Sequence, residues 1–236
     1  MTTFSYFDGE TECEGFLALP EGPGPHPAVL VAHNWAGQSQ ADNDVARRLA
    51  ALGYAGLAID VYGKGNRGDL QGDNSALMNP WMADRAALRN RLLAAVAAAA
   101  GHPMIDDANI AFIGYCFGGL CALDVARSVS PDVKAVASFH GVYVPPAIGP
   151  QAPIAAKVLV LHGWDDPLTP PDATVGLAGE LSAAGADWQI HAYGGTMHAF
   201  TNLGANNPAG GVQYSPAADR RSWQALTNFL AEVFAA

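Results

Sequence analysis

"GYCFGG", Gly114 to Gly119, follows the apolar run "NIAFI" and precedes "LCALDVARSV". A cysteine framed by glycines where a strand turns into a helix has the form of a nucleophile elbow, with cysteine in the central place of G-x-S-x-G. Such a turn is strained and projects its central side chain from the sheet. Gly114 and Gly118 have no side chain to collide in so tight a turn. The Cys116 thiol then stands at the N-terminus of the next helix, where the peptide dipoles favour thiolate. A lone small cysteine is ordinarily inert packing, and Cys13 and Cys121 read that way, as strand and helix filler. The glycine string and its strand-to-helix setting single out Cys116.

Outward from the elbow the chain alternates. Buried-strand runs are "EGFLAL", "AVLVAH" (Ala28 to His33), "LAID", "NIAFIG", "VKAVASFHG", "KVLVLHG" and "WQIHAYG". Val45, Leu49 and Leu52 recur at helical spacing before Gly53, and Leu88, Leu92, Val96 and Ala100 line one face of a helix over 84–100. Further helices are predicted over 174–184 and 220–234. The pattern predicts an α/β class, with a mostly parallel central sheet, helices on both faces and one domain spanning 1–236. The stretch 63–82 reads as irregular, and we expect it at the site entrance as a lid.

The 236 residues are half hydrophobic and 14% charged, with 22 acidic against 12 basic residues and a formal net charge of -10. That balance argues against a nucleic-acid partner. The start "MTTFSYFDGETECEG" lacks a basic, then apolar, leader, and no apolar run is long enough for a membrane span, so no membrane association and a cytoplasmic location are expected. Three cysteines without paired spacing predict neither a disulfide framework nor a zinc cage. No cofactor or metal is expected, and the chain is read as a monomer or small homo-oligomer.

In a parallel sheet the loops at the carboxyl ends of the strands carry the chemistry. Here they contain "HNWAG" (33–37), "GYCFGG", "HGWDD" (162–166) and "GGTMHAF" (194–200). A nucleophile needs a base, and the base an orienting group. Cys116, Asp166 and His198 follow the order nucleophile, acid, histidine. Asp165 competes for the acid role, and "WDDP" is also an ordinary turn start. His33, His140, His162 and His191 sit at or near strand ends and read as structural.

"HNWAG", "DVYGKG", "IGYCFGG", "LHGWDDPLTP" and "GGTMHAFT", in this order over most of the chain, resemble the dienelactone hydrolases of the α/β-hydrolase superfamily. The resemblance implies an α/β-hydrolase fold and a Cys116–His198–Asp166 triad, its H-G-x-x-D pattern favouring Asp166 over Asp165. It implies an oxyanion hole from the Trp35 and Phe117 N–H groups, and hydrolysis of a small ester or lactone through an acyl-enzyme.

Two departures bear on substrate. Asn34 stands where the best-known members have a glutamate that helps deprotonate the thiol; it either orients Cys116 or the ester, or caps its loop. Thr201 and Asn202 stand where those enzymes place an arginine after the histidine, with Lys64, Arg67 and Arg85 the nearby substitutes. Asn34, Trp81, Tyr115, Met197 and Phe200, with Trp35, are expected to line an apolar substrate pocket. The alternatives are a thioesterase or promiscuous carboxylesterase on the same scaffold and, from another class, a non-catalytic thiol sensor.

Overall fold

A computed structural model describes residues 2–235. The chain runs β1 (Thr2–Asp8), β2 (Thr11–Ala18), β3 (His26–Ala32), α1 (Gln40–Ala50), β4 (Ala55–Ile59), α2 (Ser75–Ala83), α3 (Arg85–Ala100), β5 (Ile105–Tyr115), α4 (Phe117–Arg127), β6 (Ala135–Phe139), β7 (Lys157–Gly163), α5 (Pro171–Ala183), β8 (Trp188–Tyr193), β9 (Asn206–Asn207), β10 (Val212–Gln213) and α6 (Pro216–Phe234).

The main sheet has the order β1-β2-β4-β3-β5-β6-β7-β8. β1 pairs with β2 and β2 with β4 antiparallel; every other neighbour pair is parallel. The predicted mostly parallel α/β architecture holds. Along β3 to β7, successive residues feed opposite layers, so both faces must be apolar. Leu30, Phe112, Val136 and Val160 meet Leu88, Leu92, Leu120 and Leu177 of α3, α4 and α5. Val29, Val31, Ile113 and Leu161 meet Leu49 of α1 and Leu226, Phe229 and Leu230 of α6.

Four features differ from the sequence reading. β1 is an edge strand with Phe4 and Tyr6 turned inward and Phe7 left 62% exposed, and Gly9 (φ 58°) begins the turn back into β2. The last eight residues of the stretch 63–82, expected to be irregular, belong to helix α2, which buries none of its residues fully. Helices α5 and α6 start several residues before the predicted positions, each with a proline in its first turn, where the missing N–H costs nothing. Leu52, expected on the apolar face of α1, lies beyond its end and is exposed. Among the described residues no helix is long and apolar enough to cross a membrane.

Candidate active site

β5 ends at Tyr115 and α4 begins at Phe117, so the whole change of direction falls on Cys116. Its backbone has φ 56° and ψ −113°, a conformation L-residues avoid. The turn is held because the Cys116 N–H donates to Phe139 O at the end of β6 (3.0 Å), while Cys116 O accepts from Gly119 N–H (2.9 Å). A Cβ on Gly114 would strike the Gly118 backbone, and one on Gly118 the Ala32 carbonyl of β3. The glycines let α4 rise against two strands at once. The thiol is free and half-buried.

The loop after β7 carries Asp166, the candidate acid. Asp166 is 1% exposed, and its Oδ1 accepts the Leu168 N–H (2.8 Å), closing the turn before Thr169. Its Oδ2 lies 2.7 Å from His198 Nδ1. Asp165 is exposed, and it is the Asp165 backbone that matters: its N–H donates to Thr196 O (2.9 Å), joining the acid loop to the histidine loop. Gly163 permits this approach, since a Cβ there would lie 2.6 Å from Thr196 O and 2.7 Å from Met197 O.

His198 is braced on its other side by the Gly211 carbonyl, which accepts its N–H (2.9 Å), and by Gln213 N–H, which donates to its carbonyl (3.1 Å). Its ring is buried, and Nε2 has no hydrogen-bond partner among the described residues. Burial opposes a charge on this ring most strongly. The Asp166 hydrogen bond and the neighbouring Cys116 thiol outweigh it, raising the pKa from 6.5 to about 10. The ring therefore favours the imidazolium form when it faces a thiolate.

The other histidines differ in their surroundings. His33 is a buried crosslink: Nδ1 lies 2.6 Å from Asn34 O, while Nε2 accepts the Val61 N–H (3.1 Å). His162 is buried and packs on Tyr143 and Trp164. His191 bonds Gln189 within β8. His140 stands edge-on to His198 with centroids 5.1 Å apart, and its Nε2 is 2.8 Å from Thr201 Oγ1. Burial, then the neighbouring His198, push its pKa well down, so His140 is neutral beside the candidate base. No sequence signal beyond "FHG" pointed to this pair.

The Trp35 and Phe117 N–H groups donate to no other group among the described residues, whereas Trp35 O accepts the Tyr62 hydroxyl (3.0 Å). Asn34 Oδ1 accepts the Ala36 N–H (2.8 Å), which is the loop-capping role. Trp81 lies under the Arg91 guanidinium and packs with Trp35 against the α3 side of the core, and Met197 is half-buried next to His198. Tyr115 and Phe200 do not join these residues. Tyr115 stacks on Phe139 and Phe200 is fully buried against His140, both in the α6-side core. Their positions beside the motifs suggested pocket walls, but the alternation of β5 and the fold of the histidine loop turn both rings inward.

Lys64 pairs with Glu12 and Glu14, Arg67 with Asp60, and Arg85 with Asp124. Each nearby cation is thus already matched. The Gly68 N–H donates to Ala36 O (2.7 Å), so the first part of 63–82 is fastened beside Trp35.

Residues 13–234 match the dienelactone hydrolase family. A protein of Methylorubrum extorquens named "Putative carboxymethylenebutenolidase" is 32% identical over 201 residues, 78% of this chain and 67% of that one. Among solved structures, a dienelactone hydrolase-like promiscuous phosphotriesterase from metagenomic libraries superposes with a TM-score of 0.93 at 35% identity, covering 98% of this chain and 97% of the other. The protein called m3DLH gives 0.90 at 36% identity with the same coverage. The expected resemblance holds: this chain belongs to the dienelactone hydrolase family and is an ester or lactone hydrolase of the α/β-hydrolase fold.

Proposed function

We propose that the chain hydrolyses small esters or lactones through Cys116 as nucleophile, His198 as proton carrier and Asp166 as the group that orients His198. The observation that carries this reading is the division of labour on the His198 ring: Nδ1 is fixed by Asp166 at 2.7 Å, while Nε2 has no hydrogen bond to another nitrogen or oxygen among the described residues and the Cys116 thiol neighbours the ring. Fixing Nδ1–H selects the tautomer whose Nε2 can accept a proton.

In the first half-reaction the Cys116 sulfur attacks the ester carbonyl, and its proton resides on His198. The resulting oxyanion is held by the Trp35 and Phe117 N–H groups, each such donor contributing about 3 kcal/mol to the transition state. The carbonyl–oxygen bond breaks, and His198 gives its proton to the departing alkoxide. Water then attacks the thioester, His198 takes its proton, and the acid leaves as Cys116 regains the thiolate. The elbow's strained backbone keeps the sulfur clear of the sheet throughout.

Asn34 is neutral and occupied with Ala36, and Lys64, Arg67 and Arg85 are ion-paired, which favours uncharged esters and lactones over a carboxylated lactone. A second reading, hydrolysis of neutral phosphotriesters, is supported by the 35% identical neighbour that bears that activity in its name. The three free cysteines suit a reducing compartment such as the cytoplasm.

The test is a panel of p-nitrophenyl esters, acyl-thioesters, simple lactones, a dienelactone and a phosphotriester, run with wild type and Cys116→Ala. We expect ester or lactone turnover in wild type and none in the folded variant. Undiminished turnover by Cys116→Ala would overturn the cysteine mechanism.

A further inference from the structure

The segment after β6, "VYVPPAIGPQ" (142–151), cannot join the sheet, because Pro145, Pro146 and Pro150 have no N–H to offer. It hangs instead on two buried arginines. Arg127 Nη2 donates to Tyr143 O (3.0 Å) and Arg85 Nη2 to Val144 O (3.1 Å). Between this segment, α4 and α5 lies a cleft of about 590 Å³, within the range of small-molecule sites. Val142, Leu168, Ala173 and Leu177 form apolar walls, and none of Cys116, Asp166 or His198 lines it.

Three observations distinguish the cleft from an ordinary surface dent. Arg89 lines it half-buried and makes no ion pair or hydrogen bond with any described residue. The acidic groups there are already matched: Asp124 holds Arg85, and Glu180 holds Arg127 at 2.6 Å. In a chain of net charge -10, one half-buried guanidinium without a partner is a cation awaiting an anion. Tyr143, which also lines the cleft, is 5% exposed, and its hydroxyl has no hydrogen-bond partner among the described residues. On α5, Gly176 lines the cleft although a Cβ there would meet nothing within 4 Å. No packing contact requires a glycine, which costs a helix about 1 kcal/mol relative to alanine; what its absent side chain preserves is the space.

We propose that this cleft is a second binding site, for a monocarboxylate with an apolar body. The carboxylate pairs with Arg89, and the body lies along Val142, Leu168 and Leu177. Among the described residues that line the cleft, Arg89 is the one cation without an ion pair, which matches a monoanion, whereas a phosphate dianion would leave an excess charge beside Glu180 and Asp124.

The test is calorimetric titration of the full chain with octanoate and with neutral octan-1-ol, using wild type, Arg89→Met and Gly176→Leu. Arg89→Met is expected to weaken octanoate about tenfold and leave octanol unchanged, since a charge-assisted hydrogen bond is lost. Gly176→Leu, which fills the space, is expected to weaken both by about tenfold or more. Both variants should hydrolyse p-nitrophenyl esters within about twofold of wild type. Absence of octanoate binding, or equal binding by all three proteins, overturns the proposal. Parallel loss of binding and hydrolysis in the two variants also overturns it, because the cleft would then be part of the catalytic pocket. None of these readouts depends on the identity of the nucleophile.

Discussion

Asp166 Oδ2 and His198 Nδ1 are 2.7 Å apart across 32 residues of sequence. Two backbone bonds bring their loops together: Trp164 N–H to Tyr193 O (3.0 Å) and Asp165 N–H to Thr196 O (2.9 Å). The two adjacent aspartates therefore have different duties. Asp166→Asn should lower kcat by about 10³ to 10⁴ with the fold intact, because the ring loses its tautomer control. Asp165→Asn keeps its backbone bond and should stay within about twofold of wild type. Steady-state kinetics on the two variants, with circular dichroism as the folding control, decides between them; the reverse ranking would move the acid role to Asp165.

The proton affinity of His198 rests on two neighbours acting against burial. In Cys116→Ala the thiol's share is lost while the desolvation remains, so the His198 pKa must fall from its value of about 10. Nitrogen NMR of the imidazole between pH 6 and 10 reads this directly. An unchanged titration would mean that the thiol does not interact with the ring.

Gly163 sits where the backbones of Thr196 and Met197 pass. Gly163→Ala forces a new Cβ against two carbonyl oxygens and should destabilise the protein by about 1–3 kcal/mol. It should also cost more in kcat than in KM, since the displaced loop carries His198. Preserved kcat would show that the histidine loop tolerates the shift.

Cys116 holds a backbone conformation that glycine enters more readily. Cys116→Gly should therefore be more stable than Cys116→Ala by about 1–2 kcal/mol, as measured by urea unfolding. Equal stability would show that the elbow stores no strain.

His33 supplies a pH dependence of folding. With Nδ1 donating to Asn34 O and Nε2 accepting from Val61, the ring is satisfied only when neutral. Burial lowers its pKa from 6.5 to about 4. Its contribution is fully present above pH 6.5 and is lost as pH falls through about 4; the total is on the order of 3 kcal/mol. Asp42 acts oppositely: burial raises its pKa from 3.8 to about 6, so its contribution declines as pH rises through that window. Comparing Tm from pH 4 to 7 in wild type and His33→Gln isolates the histidine, and the variant should show the smaller acid loss. Parallel curves would refute the assignment.

The interior of the fold was legible because β3 to β7 are apolar on both sides and the glycines around Cys116 admit few backbones. The edge was less so. β1 shows only alternation, and α2 carries Pro80 and buries no residue fully, so neither has the continuous apolar signal of a central element. That Asp166 and His198 meet was readable from chain order, since each follows a strand end. Which neighbours support them was not. Tyr115 and Phe200 lie within two residues of Cys116 and His198 and yet face the core, while the contact of His140 with His198 joins segments that no local spacing relates.

The proline-bearing segment 142–151 has no strand partner among the described residues and is suspended from Arg85 and Arg127, whereas the loops that carry Asp166 and His198 are tied to each other through their backbones. Insertions and sequence variation should therefore be accommodated in the exposed part, 145–150, and rejected in 164–170 and 194–200. For a designer building libraries on this scaffold, the former is a replaceable cassette and the latter two are fixed framework.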